Sequence, residues 1–495
     1  MSLDSRDDAP WEHPFLTKEN ITLFRDYSES VWQRALTDYA SRVEDLDIGF
    51  AVNIAQNMYK WARMAKRGGA RATLYLHPFD DYPMSLPAWE HSDDEFESVD
   101  AARGLLQEVA YDVPVRKVEI DSSAFRNGLN FLEGDAPWSV PSRAVRKLVA
   151  RHSSIRWEVF ARNPLFMSYF DWAAALAEHD VLFVASNPFA AYASGRPYAV
   201  VSIGADLQFE CGRGDDYGRA LLSSFNSARY LFISNPHSLG HSRRLGLTNG
   251  LYVPYPMDTN HYSPGKGRSR NEWVQNYGDG VFILSTARLD DEVKGNVSSM
   301  LDVFGTVAAL DPDVRFVLVA WGADVDLLRA RLADRRLVDR VILLKPAGKM
   351  RLLDYYRSCD VVIDQFRYGY FGASMLEAAS TGRPVIMKLH GDQYRALYSG
   401  DGPPVVHVGS TNEVVRAVLL LARSRELRES MGDALRSWVV RNHGEEKSTR
   451  LLLSLLGMVA ESRYRAPGEN LNPLLTELSE EEVRYHRSRL VEVPR

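Results

Sequence analysis

The sequence predicts an α/β protein built from two doubly wound parallel-sheet domains, and three observations carry that reading. From residue 45 onward, short apolar runs rich in β-branched residues alternate with amphipathic stretches, the pattern of a parallel sheet covered on both faces. The alternation breaks once, at a stretch punctuated by Pro254, Pro256 and Pro264, and then restarts. The chain has 495 residues, 45% of them hydrophobic, and at about 150 residues per domain that length allows two to four domains, each able to bury its own core.

The elements follow in order. The first 45 residues read as helical, with aromatics at Phe24, Tyr27, Trp32 and Tyr39. Asp47 to Ala51 has the composition of a strand. Asn57 to Lys66 reads as a helix closed by Gly68-Gly69, because glycine accepts the left-handed turn that satisfies the last carbonyls. Ala72–Leu76 is a strand, and a loop with three prolines runs from His77 to about Asp94. Further strands are expected at Asp180–Ala185, Tyr198–Ile203 and Tyr230–Ile233. Gly265-Lys266-Gly267-Arg268-Ser269-Arg270 has linker composition.

Beyond it, strands are expected at Val281–Thr286, Val314–Ala320, Arg340–Leu344, Asp360–Asp364 and Pro384–Met387, with helices at Ser298–Leu310, Asp324–Leu337, Lys349–Ser358 and Ser374–Thr381. Long helices fill 411–461, and a charged stretch, Ser479-Glu480-Glu481-Glu482-Val483, lies in the tail. The expected organisation is a Rossmann-like domain over 1–265 with a helical N-terminal extension, a second over 266–465, and a helical tail over 466–495 able to pack back on the first. Ligands of such sheets bind outside the carboxyl ends of the strands, so two facing domains put that crevice between them.

Composition excludes several classes. The chain carries 59 Lys+Arg against 65 Asp+Glu, a formal charge of −6, which argues against a general nucleic-acid binder and against a polybasic membrane anchor. Two cysteines, Cys211 and Cys359, are too few for a disulfide framework or a cysteine-only zinc site, and Cys359 reads as a buried small hydrophobe. The opening MSLDSRDDAPWEHP has no apolar signal core, and no run of 18 apolar residues offers a membrane span. The expectation is a soluble cytoplasmic protein. Only 11 of the 59 basic residues are lysine, so a lysine at a candidate site carries more weight than an arginine.

The most informative segment is Phe371 to Ile386. Gly372 sits where a strand hands over to a helix, and Ala373, Ser374 and Met375 are small or flexible enough for the backbone to approach a ligand. The first helical N–H groups are then open to an anion. Glu377, one turn in, can accept hydrogen bonds from vicinal hydroxyls such as those of a ribose; equally, Ser374-x-x-Glu377 is a capping box. Arg288 follows the first strand of the second domain, and Lys294-Gly295 opens the next helix. That places two cations, one able to bind bidentately, beside the same crevice, where they suit a diphosphate.

These motifs, in the order Arg288-Leu289…Lys294-Gly295, Pro312-Asp313, Asp339-Arg340-Val341, Tyr355-Tyr356…Asp360-Val361 and Gly372…Leu376-Glu377-Ala378…Gly382-Arg383-Pro384-Val385, resemble the family 4 glycosyltransferases over roughly residues 230–445. The resemblance implies a GT-B fold and retaining transfer from a nucleoside-diphosphate sugar. The first domain would then serve the acceptor, and the second would bind the nucleotide sugar. It also implies that Arg288 and Lys294 hold the donor diphosphate, that Glu377 holds the ribose, and that the amides of Gly372, Ala373, Ser374 and Met375 hold phosphate or sugar. Leu343 and Leu344 would flank the base. No metal and no cofactor is expected beyond the donor itself. The acceptor would be a carbohydrate, a lipid-linked or a small molecule, as in polysaccharide biosynthesis, with the enzyme cytoplasmic or peripheral at a membrane.

Two departures stand against the pattern. The family usually has an acidic residue eight positions before the helix Glu, and here that position is Gly369. It often has a His in a His-Gly-x-Asp turn, and here the turn reads Ile203-Gly204-Ala205-Asp206. Asp364 and Gln365 at a strand end are candidates for the lost acid's work, and Asp206 is a candidate at the first domain; for Asp206 and Asp364 the alternative is a turn residue. The departures motivate a second expectation, a nucleotide-sugar-binding pseudo-glycosyltransferase or accessory subunit without normal transfer. A sugar-nucleotide epimerase would rely on acidic and His residues that have no placement here. Three further features read as bland. Arg329, Arg331, Arg335 and Arg336 form a solvated helix face, and His237 and His241, near Arg243-Arg244, read as loop residues with contact to an anionic acceptor as the alternative. Phe79, Tyr82 and Trp89 are aromatics of a loop that either lines the acceptor side or anchors itself.

Overall fold

The computed structural model describes residues 13–77, 82–107, 109–119, 155–156, 164–462, 471–472 and 475. Two all-parallel sheets are present. The first contains β1 (Asp47–Ala51), β2 (Arg71–Leu76), β3 (Val115–Lys117), β4 (Val181–Ala185), β5 (Tyr198–Val201), β6 (Tyr230–Ile233) and β7 (Gly250–Tyr252), in the order β3-β2-β1-β4-β5-β6-β7. The second contains β8 (Val281–Ser285), β9 (Val314–Val319), β10 (Val341–Leu344), β11 (Val361–Ile363), β12 (Val385–Met387) and β13 (Val406–His407), in the order β10-β9-β8-β11-β12-β13. Each sheet grows outward from its first strand and then reverses. The reversal falls between β1 and β4 in one sheet and between β8 and β11 in the other, and such a switch point is where these sheets bind ligands.

The strands form where the sequence supplies uninterrupted apolar runs. All five residues of β4 are buried, as expected for a strand with helices on both faces. In the second sheet, helix Ser298–Leu310 buries Met300, Leu301, Val303, Phe304 and Val307. This one-sided stripe packs into a core with Ile283, Phe316 and Val361. Strands β3, β7 and β13 go beyond the sequence expectation. They are two or three residues long at the sheet edges, too short for a periodic signal.

The chain divides into two compact units. One holds Ala88–Val109 and Pro256–Glu445; the other holds His13–Pro87, Ala110–Tyr255 and the residues from Glu446 on. The crossing at Tyr255–Pro256 lies ten residues before the linker expected at 265. That linker stretch is docked instead: the Arg268 amide donates to Asp354 at 2.7 Å and the Ser269 amide at 3.1 Å. Segment 88–109 leaves the N-terminal half and joins the second sheet's unit. There the Phe96 amide donates to Pro346 O (2.8 Å) and the Tyr355 hydroxyl to Glu95 (2.5 Å). Trp89 is 1% exposed and stacks on Phe96, which makes it an anchor of this segment. In the opposite sense, helix Glu445–Ala460 packs Leu451, Leu452, Leu455, Leu456 and Val459 into the core of the first sheet's unit. Of the tail, Asn472 donates to Gly250 O at 3.0 Å and Leu475 is buried in the same unit, whereas 479–483 lies outside the described residues, as does Phe79. His237 and His241 are buried within helix Pro236–Arg244 and are not loop residues. No helix among the described residues is long and apolar enough to cross a membrane.

Candidate functional site

The second unit's switch point gathers most of the residues singled out by the sequence. β8 ends at Ser285, and the chain turns through Thr286, Ala287 and Arg288. Thr286 is held from two sides: its hydroxyl bonds Tyr356 Oη (2.7 Å) and its carbonyl accepts from Trp321 Nε1 (2.9 Å). Arg288 keeps its guanidinium nearly half exposed and pairs with Asp290 at 2.8 Å. Lys294 does not open a helix. It lies in a turn whose amides at 294 and 295 return to Asp290 O, and helix Ser298–Leu310 starts four residues later, where Asp291 accepts from the Val297 and Ser298 amides. The reason is Asp291: its carboxylate takes the first helical donors and fixes the helix start beyond Gly295.

Lys294 Nζ sits 5.5 Å over the Tyr368 ring, within reach of a cation–π contact. Burial pushes the Lys294 ammonium pKa down, and the Asp364 carboxylate opposes that shift; Arg288 adds to it and Asp290 offsets it. Burial in turn pushes Asp364 up, offset by Lys294. Asp364 directly follows β11 with 5% of its surface exposed, and its carboxylate makes no hydrogen bond to any described residue. It is therefore a buried acid whose charge is offset by a phosphate-binding candidate, Lys294.

The loop from Gln365 to Gly372 joins β11 to helix Ala373–Ser380. The Phe366 amide donates to Lys294 O at 3.0 Å, tying this loop to the Lys294 turn. The Gln365 side chain is 1% exposed and donates to Tyr370 O, so it braces the loop from within. Gly372 is the helix N-cap, in extended geometry and with no side-chain cap. The amides of Gly372, Ala373 and Ser374 have no hydrogen-bond partner among the described residues, and Gly372 is exposed. Uncapped donors at a helix start have the geometry to bind an anionic oxygen. Met375, by contrast, is buried.

The Ser374–Glu377 capping box does not form, because Gly372 and not a residue preceding Glu377 by three supplies the cap. Glu377 is wholly buried, and its two carboxylate oxygens lie 2.7 and 2.9 Å from Lys349 Nζ. Lys349 opens helix Lys349–Ser358 and keeps 14% of its side chain exposed. No sequence motif marks Lys349, and the scarcity of lysine is the one signal that points to it. Leu343 and Leu344 are half-buried at the end of edge strand β10, two strands away from β8.

Asp206 belongs to the other unit. It is 2% exposed and accepts from Ser202 Oγ (2.7 Å) and the amides of Ile203 (3.1 Å), Gly204 (3.2 Å) and Leu207 (2.7 Å). Burial raises its pKa, and these four donors lower it. The carboxylate thus closes the turn after β5, which is the turn-residue alternative. Among the described residues, no three His, Cys, Asp or Glu side chains gather as metal ligands. Both cysteines are buried, and burial pushes the Cys359 thiol up to about 12.

Residues 269–438 match the family described as glycosyl transferases group 1. Mannosylfructose-phosphate synthase of Agrobacterium fabrum is 28% identical over 157 residues, 30% of this chain and 34% of that one. The D-inositol 3-phosphate glycosyltransferase of Acidothermus cellulolyticus is 27% identical over 157 residues, 30% of this chain and 35% of its own length. The matched stretch thus spans about a third of these relatives. Among solved structures, Anabaena HepE in complex with UDP and glucose superimposes with a TM-score of 0.55 at 14% identity, covering 83% of this chain and 99% of that one. Sucrose-phosphate synthase from Thermosynechococcus elongatus gives 0.54 at 14% identity, covering 83% and 98%. At such identities the likeness concerns the fold. The chain thus has the GT-B fold, and its residues 269–438 match the glycosyl transferases group 1 family.

Proposed function

We propose that the chain moves a sugar from a nucleoside-diphosphate sugar to an acceptor hydroxyl, with retention at the anomeric carbon. One observation carries the reading: Arg288, Lys294 and the uncapped amides of Gly372, Ala373 and Ser374 all lie at the β8–β11 switch of the second unit. Two cations and a helix start meet the charge of a diphosphate without a metal, and they meet it best as the diphosphate departs. The name of one curated relative, a D-inositol 3-phosphate glycosyltransferase, supports the reading, and the UDP bound in HepE makes uracil the first base to test.

In this reading the bond from the anomeric carbon to the diphosphate breaks, and the acceptor oxygen bonds the carbon from the same face. The acceptor proton passes to the departing phosphate oxygen. Arg288 exchanges Asp290 for phosphate, and Lys294 exchanges part of its interaction with Asp364. Asp364 keeps Lys294 charged and faces the donor from the end of β11. Gln365 and Asp206, both engaged by backbone groups, act as braces. The acceptor is a carbohydrate, a lipid-linked or a small molecule, and the reaction takes place in the cytoplasm.

The test is calorimetric titration with UDP, GDP and their sugars, followed by turnover of any donor that binds. A donor at a hundred times its dissociation constant adds about 2.7 kcal/mol to stability. Arg288→Ala and Lys294→Ala each remove a charge-assisted contact of roughly 1.5–3 kcal/mol, about ten- to a hundredfold in affinity. Unchanged binding in both variants would reject the site. A second reading, a nucleotide-sugar-binding subunit without transfer, is favoured by Gly369 and by the closed turn around Asp206. A parent chain that binds a donor yet neither transfers nor hydrolyses it would establish that second reading.

A further inference from the structure

Gly369 does more than lack a side chain. Its φ is +79°, a backbone region that favours glycine, and an ideal Cβ at this position would lie 2.4 Å from Nε2 and 2.5 Å from Cδ2 of His390. The space beside position 369 is therefore filled by an imidazole from another strand end. His390 follows β12 (its amide donates to Gly369 O at 2.9 Å), and its ring packs 4.8 Å from Tyr370. The ring is half-buried, and neither of its nitrogens has a hydrogen-bond partner among the described residues. The charged and titratable groups acting on it are Lys388 and His407, with no carboxylate among them.

Strand order says what lies there. β8, β11 and β12 are neighbours. Arg288 and Lys294 follow β8, the uncapped amides follow β11, and His390 follows β12. A donor whose diphosphate sits at β8 and β11, with its base toward β9 and β10, has only the β12 side left for its sugar.

We propose that His390 is the sugar-recognising residue of the donor site, its imidazole hydrogen-bonding a hydroxyl of the donor sugar from the place that a side chain at 369 would otherwise occupy. This rests on the nucleotide-sugar reading above. The pair is mutually exclusive: Gly369 must remain side-chain-free while His390 occupies that volume. An imidazole offers one donor and one acceptor, which fixes the orientation of a hydroxyl more narrowly than a carboxylate does. The sugar thereby meets an uncharged group: burial first, then Lys388 and His407, push His390 down to about 4.

The experiment compares the parent, His390→Ala and His390→Gln by titration with UDP and by kcat/KM across a panel of UDP-sugars. His390→Ala is expected to keep UDP affinity within twofold and to lower kcat/KM for the best donor at least tenfold. His390→Gln, with one donor and one acceptor, is expected to recover part of that loss, which a purely structural role would not produce. Gly369→Ala should behave like His390→Ala, because it drives the ring from its place. Parent-level kcat/KM in His390→Ala overturns the inference, and so does a UDP affinity that falls in parallel with donor turnover. A parent that binds UDP but treats all sugars alike within twofold overturns it too, leaving the nucleotide site standing. A parent that binds no nucleoside diphosphate instead rejects the reading beneath it.

Discussion

The Glu377 carboxylate has no exposed surface, and the Lys349 ammonium meets both of its oxygens. Removing one partner of such a pair strands the other charge in a poorly solvated place. Glu377→Gln should therefore lower the unfolding free energy by about 3 kcal/mol, at the low end of such losses because Lys349 can relax toward solvent. Adding Lys349→Met should restore much of it. Denaturant midpoints of Glu377→Gln, Lys349→Met and the double variant check this, and additive losses would mean that the two side chains do not act as a pair. Lys294 and Asp364 form a looser couple with a pH signature. Phosphate binding needs the charged ammonium, so it fades as pH rises through the Lys294 pKa, which burial has lowered. The Asp364 charge opposes that lowering, so Asp364→Asn should move the fading of UDP affinity to lower pH. Superimposable affinity–pH curves would show that the couple is not felt at the ligand. The placement of Arg288 and Gly372 is legible in the sequence because it is local, a cation after a strand and a glycine before a helix, whereas the turn that holds Lys294 ahead of Ser298 is not. The partners of Glu377 and Gly369 are not, since Lys349 and His390 come from other elements and only packing brings them close.

Helix Ala373–Ser380 shows how an element can be left incomplete where a ligand would complete it. Its N-cap is a glycine with no side-chain bond, although serine, threonine and aspartate are the better caps. Position 372 has φ −117°, which any residue adopts, and a Cβ there meets nothing within 4 Å. Gly372→Asp should thus fold without strain and gain a few tenths of a kcal/mol from capping, with a similar contribution from the helix dipole. The same carboxylate would occupy the amides of the first turn and repel phosphate. The expected outcome is an unchanged or slightly raised melting temperature with at least about a tenfold loss of UDP affinity, ~1.4 kcal/mol; Gly372→Ala serves as the control for side-chain bulk. Retained UDP affinity in Gly372→Asp would remove this helix start from the phosphate site. Most elements of this sheet are legible because their apolar runs and amphipathic stripes have the right period, and Ser298–Leu310 and Lys349–Ser358 match to the residue. The capping box is the exception. Ser374-x-x-Glu377 satisfies the motif, yet tertiary pairing with Lys349 outweighs a local cap.

At the scale of the whole molecule, chain order and unit membership part company. Segment 88–109 belongs with the second sheet and the residues after Glu445 with the first, so neither unit is a contiguous stretch. Sequence periodicity reports that 446–460 is an amphipathic helix but not which core it covers, because its apolar stripe would suit either sheet. The consequence is a test by truncation. A chain ending at Glu445 would strip Leu451, Leu452, Leu455, Leu456 and Val459, all at most 6% exposed, from the core of the first unit. Each such side chain contributes roughly 1.5–3 kcal/mol on full burial, and a domain's entire margin is about 5–15 kcal/mol. Five of them amount to a loss comparable with that margin. The truncated chain should therefore lose cooperative unfolding of the first unit and bind a hydrophobic dye, while the second unit, whose described residues end at Glu445, should keep its fold and its UDP affinity. A single point change calibrates the effect: Leu455→Ala, at a position with no exposed surface, should cost about 2–5 kcal/mol in the first unit's transition and leave UDP binding unaltered. If the chain ending at Glu445 melted with both transitions intact, helix Glu445–Ala460 would be an accessory to the first core and not a part of it.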